Sequence, residues 1–358
     1  MKLFSRRHLA ITFWLILYWT AAIYFLIVIR FIGHSSVITN PVDSDIPIDY
    51  PIFFRMGFVG AILVGFCFGL LEILFEKTSF KRMSYGKLIL IKSFIYMLVF
   101  VGAMVFLSVR NFQINVGPFD FQQWAKVFFE ANLLVPLSYM VTASILLNFI
   151  KQVSQKFGPG NLWKMLTGRF HQPQEEERIF MFLDLKSSTS IAEQLGHIKF
   201  SRLLQDCFND LSVVGYYKAE IYQYVGDEAV LSWSVANGLQ GFNCLRAFFE
   251  FDKQLANRAT HYQSNYGLQP IFKAGLNLGK VTLAEVGEIK REIAFHGDTL
   301  NTAARIQGKC NDLGKRLLIS EFLETQLDHD SDFSRELMGQ VALRGKQEEI
   351  NIYAVELS

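Results

Sequence analysis

The stretch Arg178-Ile-Phe-Met-Phe-Leu-Asp184 decides how the second half of this 358-residue chain folds. Five consecutive apolar residues have the length of a strand that is buried on both faces. The run ends in an aspartate, and a carboxylate at the end of a buried strand is a candidate site residue because burying a charge is costly. Apolar residues at helical spacing follow from Ser190 to Val214. The sequence therefore predicts a strand that leads directly into a helix.

A hairpin is predicted next, from Ile221 to Trp233, because Gly226-Asp227 is a dipeptide typical of tight turns. Downstream we expect a helix over 238–261, strands over 271–278, 281–285 and 292–295, a helix that begins at Gly297 and a last strand over 350–355. This order indicates an α+β domain of the ferredoxin-like type, which we assign to residues 178–358.

Two aspartates carry the chemistry of this domain: Asp184 closes the buried strand and Asp227 lies on the hairpin turn. Paired carboxylates without cysteine or histidine partners suit hard cations such as Mg²⁺ or Mn²⁺. Two such ions can activate an attacking hydroxyl and neutralise a leaving phosphate. Each aspartate alone has a simpler explanation, since Asp227 fits a turn and Asp184 fits a helix cap.

The first 150 residues differ sharply in composition from the rest. They hold only 12 of the chain's 35 basic side chains and 7 of its 33 acidic ones. Four long apolar runs, of which the second contains Glu72 and the third Lys92, predict four transmembrane helices at 9–29, 56–75, 88–109 and 131–150. We therefore expect an all-α membrane domain over 1–150 and a cytoplasmic coupling segment over 151–177. No small-residue cleavage site follows the first run, so a retained anchor is favoured over a signal peptide.

Basic residues near the membrane ends predict the topology, because such residues stay in the cytoplasm. The N-terminus, the loop around 77–87 and the segment after 150 are basic, whereas the loop around 43–49 is acidic. We expect a multi-pass protein of the inner (plasma) membrane with both termini cytoplasmic. Glu72, Lys92 and Glu130 lie in or beside the apolar runs, and we interpret the first two as interfacial charges that snorkel or pair.

The distribution of basic residues and the cysteine content limit the kinds of partner and the cellular compartment that we expect. The basic excess lies beside apolar runs rather than in a soluble patch, so we predict a lipid bilayer and no nucleic acid as partner. Four cysteines without CxxC spacing indicate a reducing compartment and no cysteine metal site. The membrane domain is interpreted as an anchor or a sensor, open to an unidentified signal or regulator.

Four sequence motifs follow one another along the second half of the chain, and the set is more specific for a protein family than any single motif. They are Phe182-Leu-Asp-Leu-Lys-Ser-Ser-Thr189, Tyr224-Val-Gly-Asp-Glu228, Gly297-Asp-Thr-Leu-Asn-Thr-Ala-Ala-Arg305 and Leu343-Arg-Gly-Lys346. Together they closely resemble the catalytic domain of the class III nucleotidyl cyclases, from about residue 175 to 356. The segment 157–178 is similar to the lead-in of membrane-anchored bacterial adenylate cyclases.

The resemblance implies a role for each matched residue. Asp184 and Asp227 would hold two Mg²⁺ or Mn²⁺ ions per active site, and the backbone at Ser187, Ser188 and Thr189 would bind the triphosphate of ATP at a helix N-terminus. Asn301 would orient the ribose and Arg305 would stabilise charge on the α-phosphate. Arg344, with Lys346 beside it, matches a phosphate-binding lysine. The family's active site forms between two catalytic domains, which implies a homodimer.

The positions that read the purine depart from the family's patterns: they are Gln223 and Ala294. Adenylate-specific members commonly have lysine at the first position and aspartate or threonine at the second, while guanylate-specific members have an acid and a small polar residue. An amide can donate and accept, so Gln223 could meet either purine. Adenylate is favoured because no acid faces guanine's donors, and a guanylate cyclase stays open as the alternative.

Other functions fit less well. A diguanylate cyclase would have a Gly-Gly-Asp-Glu-Phe hairpin, which Val225 and Ala229 break. A non-catalytic nucleotide-sensing receptor would have no need of the transition-state arginine that Arg305 matches. A transporter is disfavoured because the spans show no inverted repeat.

Overall fold

The structure is a computed structural model that describes residues 6–37, 50–77, 85–115, 117–130, 134–157, 165, 167–169, 172–289, 291–328, 332–342 and 349–358. The chain divides into two compact units, Met1–Lys156 and Phe157–Ser358. Each unit has its own hydrophobic core, and each is described by itself below.

The first unit is helical wherever the structure describes regular elements. Its helices are α1 (Arg6–Val37), α2 (Tyr50–Lys77), α3 (Tyr85–Asn115), α4 (Phe121–Glu130) and α5 (Leu134–Phe157). Within the described residues, three segments are long and apolar enough to cross a membrane: Gly57–Phe75, Gly86–Arg110 and Leu134–Ser154. The apolar part of α1, Thr12–Leu26, falls below that length, so the first of the four predicted spans stays a prediction. The short helix α4 was not predicted from the sequence.

Small residues let α1 and α2 approach each other closely. A Cβ atom on Gly65 would lie 2.7 Å from Cα of Ile16, and one on Gly69 would lie 2.6 Å from the Thr12 side chain. Glycines of this kind allow close van der Waals packing between helices in lipid, where the hydrophobic effect gives no drive. The core of the unit contains Trp19 and Phe68, whose ring centroids are 4.8 Å apart.

Glu72 is buried within the helical unit, near the end of the candidate span Gly57–Phe75. Nζ of Lys92 on α3 and Nζ of Lys151 on α5 each lie 2.7 Å from its Oε1. The Tyr96 hydroxyl donates to Oε2 over 2.9 Å. The predicted pairing of Glu72 with Lys92 is therefore confirmed. The side chain of Glu130 lies outside what the structure describes.

The second unit is built on a mixed sheet. Its strands are β1 (Gln174–Leu185), β2 (Glu220–Val225), β3 (Glu228–Ser234), β4 (Phe272–Val286), β5 (Glu292–His296), β6 (Leu317–Ser320), β7 (Phe333–Ala342) and β8 (Glu349–Leu357). They are ordered β2-β3-β1-β4-β6-β8-β7, and β5 pairs with β4. The order β2-β3-β1-β4 is that of a βαββαβ unit, so the predicted α+β class is confirmed.

The helices of this unit are α6 (Ser188–Leu195), α7 (His197–Asp210), α8 (Val235–Leu239), α9 (Asn243–Asn257), α10 (Ala259–Tyr266), α11 (Asp298–Gly308) and α12 (Glu321–Glu324). The single helix predicted from 190 to 214 is wrong: it breaks at Gly196, whose φ of 72° ends α6. The single helix predicted over 238–261 is also wrong, because Gly241 and Phe242 both have positive φ. Gly196 ends the first helix, and the left-handed turn at Gly241 and Phe242 interrupts the second. Both breaks occur although the apolar residues are spaced as in one continuous helix.

The two strands predicted over 271–278 and 281–285 form one continuous strand, β4. It pairs along its length with β1, from Leu185 opposite Phe272 to Gln174 opposite Leu283. Gly279, which lies between the two predicted strands, is inside β4, and helix α11 packs against it. A Cβ atom at this position would lie 2.6 Å from Oγ1 of Thr299, at the start of α11.

The sheet has two differently covered faces. Helices α7, α9 and α10 pack against one face of the sheet. Together they form a large apolar core that contains Met181 and Trp233. The opposite face carries a smaller cluster that contains Phe180 and Val230, and α11 packs there through Ala303. We call these the core face and the site face.

Candidate active site

Strand β1 and the β2–β3 hairpin bring the two predicted metal aspartates together. Asp184 pairs in register with Glu228, and Asp227 precedes Glu228 in the turn, where Gly226 has a φ of 63°. The carboxyl groups of Asp184 and Asp227 are in hydrogen-bonding contact. Partial burial raises the pKa of Asp184, and the neighbouring carboxylate of Asp227 raises it further.

Glu228 is a third acid at this place, and the sequence analysis did not single it out. Burial raises its pKa to about 7, and the carboxylates of Asp184 and Asp227 add to the effect. Its position directly after Asp227 was the available signal. Three acids at one corner of a sheet concentrate negative charge that a cation would relieve.

Oxygen donors of this kind fit a hard divalent cation. Asp184 and Asp227 offer carboxylate oxygens, the donors that Mg²⁺ and Mn²⁺ prefer. Among those residues, no three His, Cys, Asp or Glu side chains are arranged to hold an ion by themselves. A cation here would therefore complete its coordination with water or with the phosphates of a ligand.

The predicted phosphate-binding segment follows the same strand. Helix α6 begins at Ser188, three residues after β1 ends, and Ser187 adopts the left-handed conformation with φ of 59°. Thr189 lies in the first turn of this helix and is exposed. Backbone N–H groups in the first turn of a helix have no partner inside the helix and favour anions.

Asn301 and Arg305 lie one turn apart on α11, as predicted, and Asn301 is exposed while Arg305 is half-buried. Close packing fixes this helix on the sheet: a Cβ atom on Gly275 would lie 2.2 Å from the backbone nitrogen of Gln307. Gln307, which the sequence analysis missed, donates from Nε2 to Oδ2 of Asp184 over 2.9 Å.

Lys273 is a further residue that the sequence analysis missed. Its Nζ lies 3.2 Å from Oδ2 of Asp184, and the β1–β4 register puts the two residues opposite each other. A single lysine inside the apolar run 271–278 was the signal that could have revealed it.

The predicted purine-reading residues lie on different strands. Gln223 is exposed on β2 opposite Val230, while Ala294 is half-buried on β5 opposite Ala284. Strands β3, β1 and β4 separate them in the sheet. Arg344 and Lys346 lie outside the residues that the structure describes.

The residues next to Gln223 and Ala294 in the sequence, Tyr222 and Phe295, are in contact with each other. The rings of Tyr222 and Phe295 have centroids 5.0 Å apart, and the Phe295 amide donates to the Tyr222 hydroxyl over 3.2 Å. Phe180 packs edge-on against Phe295 at 5.2 Å, and the guanidinium of Arg178 lies 5.0 Å from the centre of the Phe295 ring. This aromatic cluster forms the site face beside the acids.

Comparisons with known proteins identify relatives of this chain. An adenylate cyclase 2 of Rhizobium meliloti (strain 1021) is 32% identical over 225 residues, which are 63% of this chain and 61% of that protein. An adenylate cyclase of Anabaena cylindrica is 27% identical over 49% of this chain and 36% of its own length. The chain thus spans less than two thirds of the length of these curated relatives.

A solved structure of a bacterial light-regulated adenylyl cyclase has a similar fold, with a TM-score of 0.52 and 19% identity over 63% of this chain and 66% of that one. The sequence model of the adenylate and guanylate cyclase catalytic domain matches residues 171–356, just over half of the chain. This match covers β1, the hairpin with its two acids and the α11 helix. The chain therefore belongs to the family of adenylate and guanylate cyclase catalytic domains.

Proposed function

We propose that the protein is a membrane-anchored adenylate cyclase that converts ATP to 3′,5′-cyclic AMP and pyrophosphate. The observation that carries the proposal is the contact between the Asp184 and Asp227 carboxyl groups, in a chain of the cyclase family. The ribose 3′-hydroxyl loses its proton to water and its oxygen attacks the α-phosphorus. The bond from the α-phosphorus to the bridging oxygen breaks, and pyrophosphate leaves with the electron pair of that bond. The relatives that carry the adenylate cyclase name support ATP as substrate.

Asp184 and Asp227 would hold two Mg²⁺ or Mn²⁺ ions, and these would lower the pKa of the attacking hydroxyl and neutralise charge on the phosphates. Asn301 orients the ribose through its amide. Arg305 stabilises the charge that develops around the α-phosphate. The amides at 187–189 bind the triphosphate, together with Arg344 and Lys346.

We infer a homodimer as the active unit. In a two-fold pair, the acids of one chain and the Asn301–Arg305 face of the other would build each of two equivalent sites. The exposure of Asn301 supports this, because it leaves the side chain accessible to a second copy.

Mixed dimers test both the chemistry and the assembly. Asp184→Ala and Arg305→Ala are each expected to be inactive alone, whereas their heterodimer keeps one intact site. Random pairing gives half mixed dimers with one working site of two, so about a quarter of wild-type activity should return on co-expression. Absence of recovery in demonstrated heterodimers would contradict a site shared between chains.

Substrate choice rests on Gln223 and Ala294. We expect ATP to be preferred over GTP by a smaller margin than in an enzyme with a charged reader, because neutral amide hydrogen bonds are weaker than charge-assisted ones. Chromatography of products from equimolar ATP and GTP measures the preference, and Gln223→Lys with Ala294→Asp should sharpen it. Mainly cyclic GMP would favour the guanylate cyclase alternative, and no turnover with Mn²⁺ would favour the nucleotide-sensing receptor.

Anchoring is inferred from the three candidate spans together with helix α1. Four spans with both termini in the cytoplasm would give the cyclase domain access to cellular ATP and hold two copies in one plane, which raises their effective concentration. A C-terminal fluorescent fusion should be membrane-bound and fluorescent, whereas a C-terminal alkaline phosphatase fusion should be inactive. The reverse pattern would overturn the topology.

A further inference from the structure

Two side chains, one neutral and one positively charged, contact the same oxygen of the Asp184 carboxylate. Gln307 on α11 donates its amide to Oδ2 over 2.9 Å, and Nζ of Lys273 on β4 lies 3.2 Å from the same atom. The Lys273 side chain is 12% exposed and that of Asp184 is 21% exposed, so both groups are partly shielded from water.

The fold holds both partners rigidly. Lys273 lies directly opposite Asp184 in the β1–β4 register. Gln307 is buried, and its backbone rests on Gly275, two residues along β4 from Lys273. Any larger residue at Gly275 would push α11, and with it the Gln307 amide, away from Asp184.

The two contacts act oppositely on a cation. A neutral amide fixes the orientation of a carboxylate and leaves its full charge to a metal ion. An ammonium group cancels part of that charge and repels a divalent cation a few ångströms away, and the repulsion is strong where water is partly excluded.

We propose that Lys273 and Gln307 are positioning residues that set the affinity of Asp184 for its metal ion in opposite directions. Lys273 neutralises the carboxylate when no metal is bound, so a metal ion must compete with it. Gln307 holds the carboxylate in the orientation that the metal needs. This inference rests on the metal assignment of the proposed function.

The test is a Mn²⁺ titration of the full chain in detergent micelles, without nucleotide, with free Mn²⁺ followed by electron paramagnetic resonance. Lys273→Met should lower the half-saturating Mn²⁺ concentration on the order of tenfold, because it removes the competing charge and keeps the side-chain length. Lys273→Arg should stay close to wild type. Gln307→Met should raise that concentration about tenfold or more, the size expected when a supporting contact to a metal ligand is lost.

Controls separate the failure of this inference from that of the proposed function. Asp227→Asn should abolish the titrated site; if it does not, the metal assignment itself is wrong. If Asp227→Asn abolishes binding but Lys273→Met weakens it or leaves it unchanged, the role of Lys273 is wrong, and unchanged binding in Gln307→Met contradicts the role of Gln307. Lys309→Met, at an exposed lysine just after α11, controls for loss of a surface charge. Melting temperatures within a few degrees of wild type exclude misfolding as the cause.

Discussion

The two faces of the cyclase sheet are built from the same strands but use buried carboxylates differently. Behind the core face, the Asp210 carboxylate accepts hydrogen bonds from Arg258 at 2.7 Å and from Tyr262 at 2.6 Å. On the site face, Asp184 meets a second carboxylate, that of Asp227, as well as its two donors. The first arrangement matches each charge with donors, while the second leaves negative charge in excess.

Strand β1 illustrates how one segment serves both faces. Ile179, Met181 and Leu183 point into the large apolar core, and the residues between them lead to Asp184 on the site face. Large apolar burial stabilises a domain, whereas like charges held together destabilise it and persist where a ligand or a reaction needs them. We therefore expect substitutions on the core face to lower stability and, under the proposed function, substitutions of the acids on the site face to lower activity.

Removing one site acid should give the largest effect. Asp227→Asn is expected to lower cyclic nucleotide formation about a thousandfold, equivalent to ~4 kcal/mol of transition-state stabilisation. The metal-free protein should melt no lower than wild type, because the substitution relieves repulsion between Asp184 and Asp227. Asp312→Asn, at an exposed aspartate paired with Lys309, is the matched control and should change neither quantity. More than a tenth of wild-type activity in Asp227→Asn would place the chemistry elsewhere.

Shortening a buried side chain on the core face should lower stability and leave activity nearly unchanged. Leu183→Ala removes a buried side chain next to Asp184 in sequence and should cost about 3 kcal/mol of unfolding free energy. Activity per folded molecule should stay within a few fold of wild type. Denaturant unfolding followed by tryptophan fluorescence, with activity assayed on the folded fraction, measures both. A Leu183→Ala variant that is stable but inactive would contradict the assignment of stability to the core face and activity to the site face.

The matched carboxylate behind the core face should matter for stability alone. Asp210→Ala should cost about 2 kcal/mol, less than a fully buried pair because Arg258 is 31% exposed. Asp252→Ala, at an exposed aspartate paired with Arg316, is the matched control and should cost less than ~1 kcal/mol. Thermal unfolding of both variants checks the difference. Equal costs would mean that burial of Asp210 adds nothing.

Thiol labelling should reveal a smaller difference between the faces. Burial raises the pKa of Cys244 on the core side and of Cys310 under α11 to about 12, so both remain thiols and react slowly at pH 8. Labelling rates should rise with pH as the thiolate fraction grows. Because the cluster around Cys310 is smaller than the core around Cys244, Cys310 should be exposed by local opening more often and label a few times faster. Mass spectrometry of the labelled peptides in a Cys67→Ser background measures the order, and faster labelling of Cys244 would contradict it.

The sequence by itself determined the elements whose signals are local. The buried strand that ends at Asp184 and the hairpin at Gly226-Asp227 follow from short patterns, and the structure confirms both elements. The helix with Asn301 and Arg305 follows from residues within three turns.

Tertiary structure decided what depends on distant partners. Gly279 is a break signal locally, but inside β4 it makes room for Thr299, twenty residues later. Glu72 was expected to snorkel or to pair, and the fold decided which lysines pair with it: Lys92 and Lys151, on two other helices. Lys273 and Gln307 reach the same oxygen of Asp184 only because β4 and α11 pack against β1. A one-dimensional pattern encodes periodicity and turn chemistry, whereas the environment of a charge depends on side chains that the folded chain brings together from far apart.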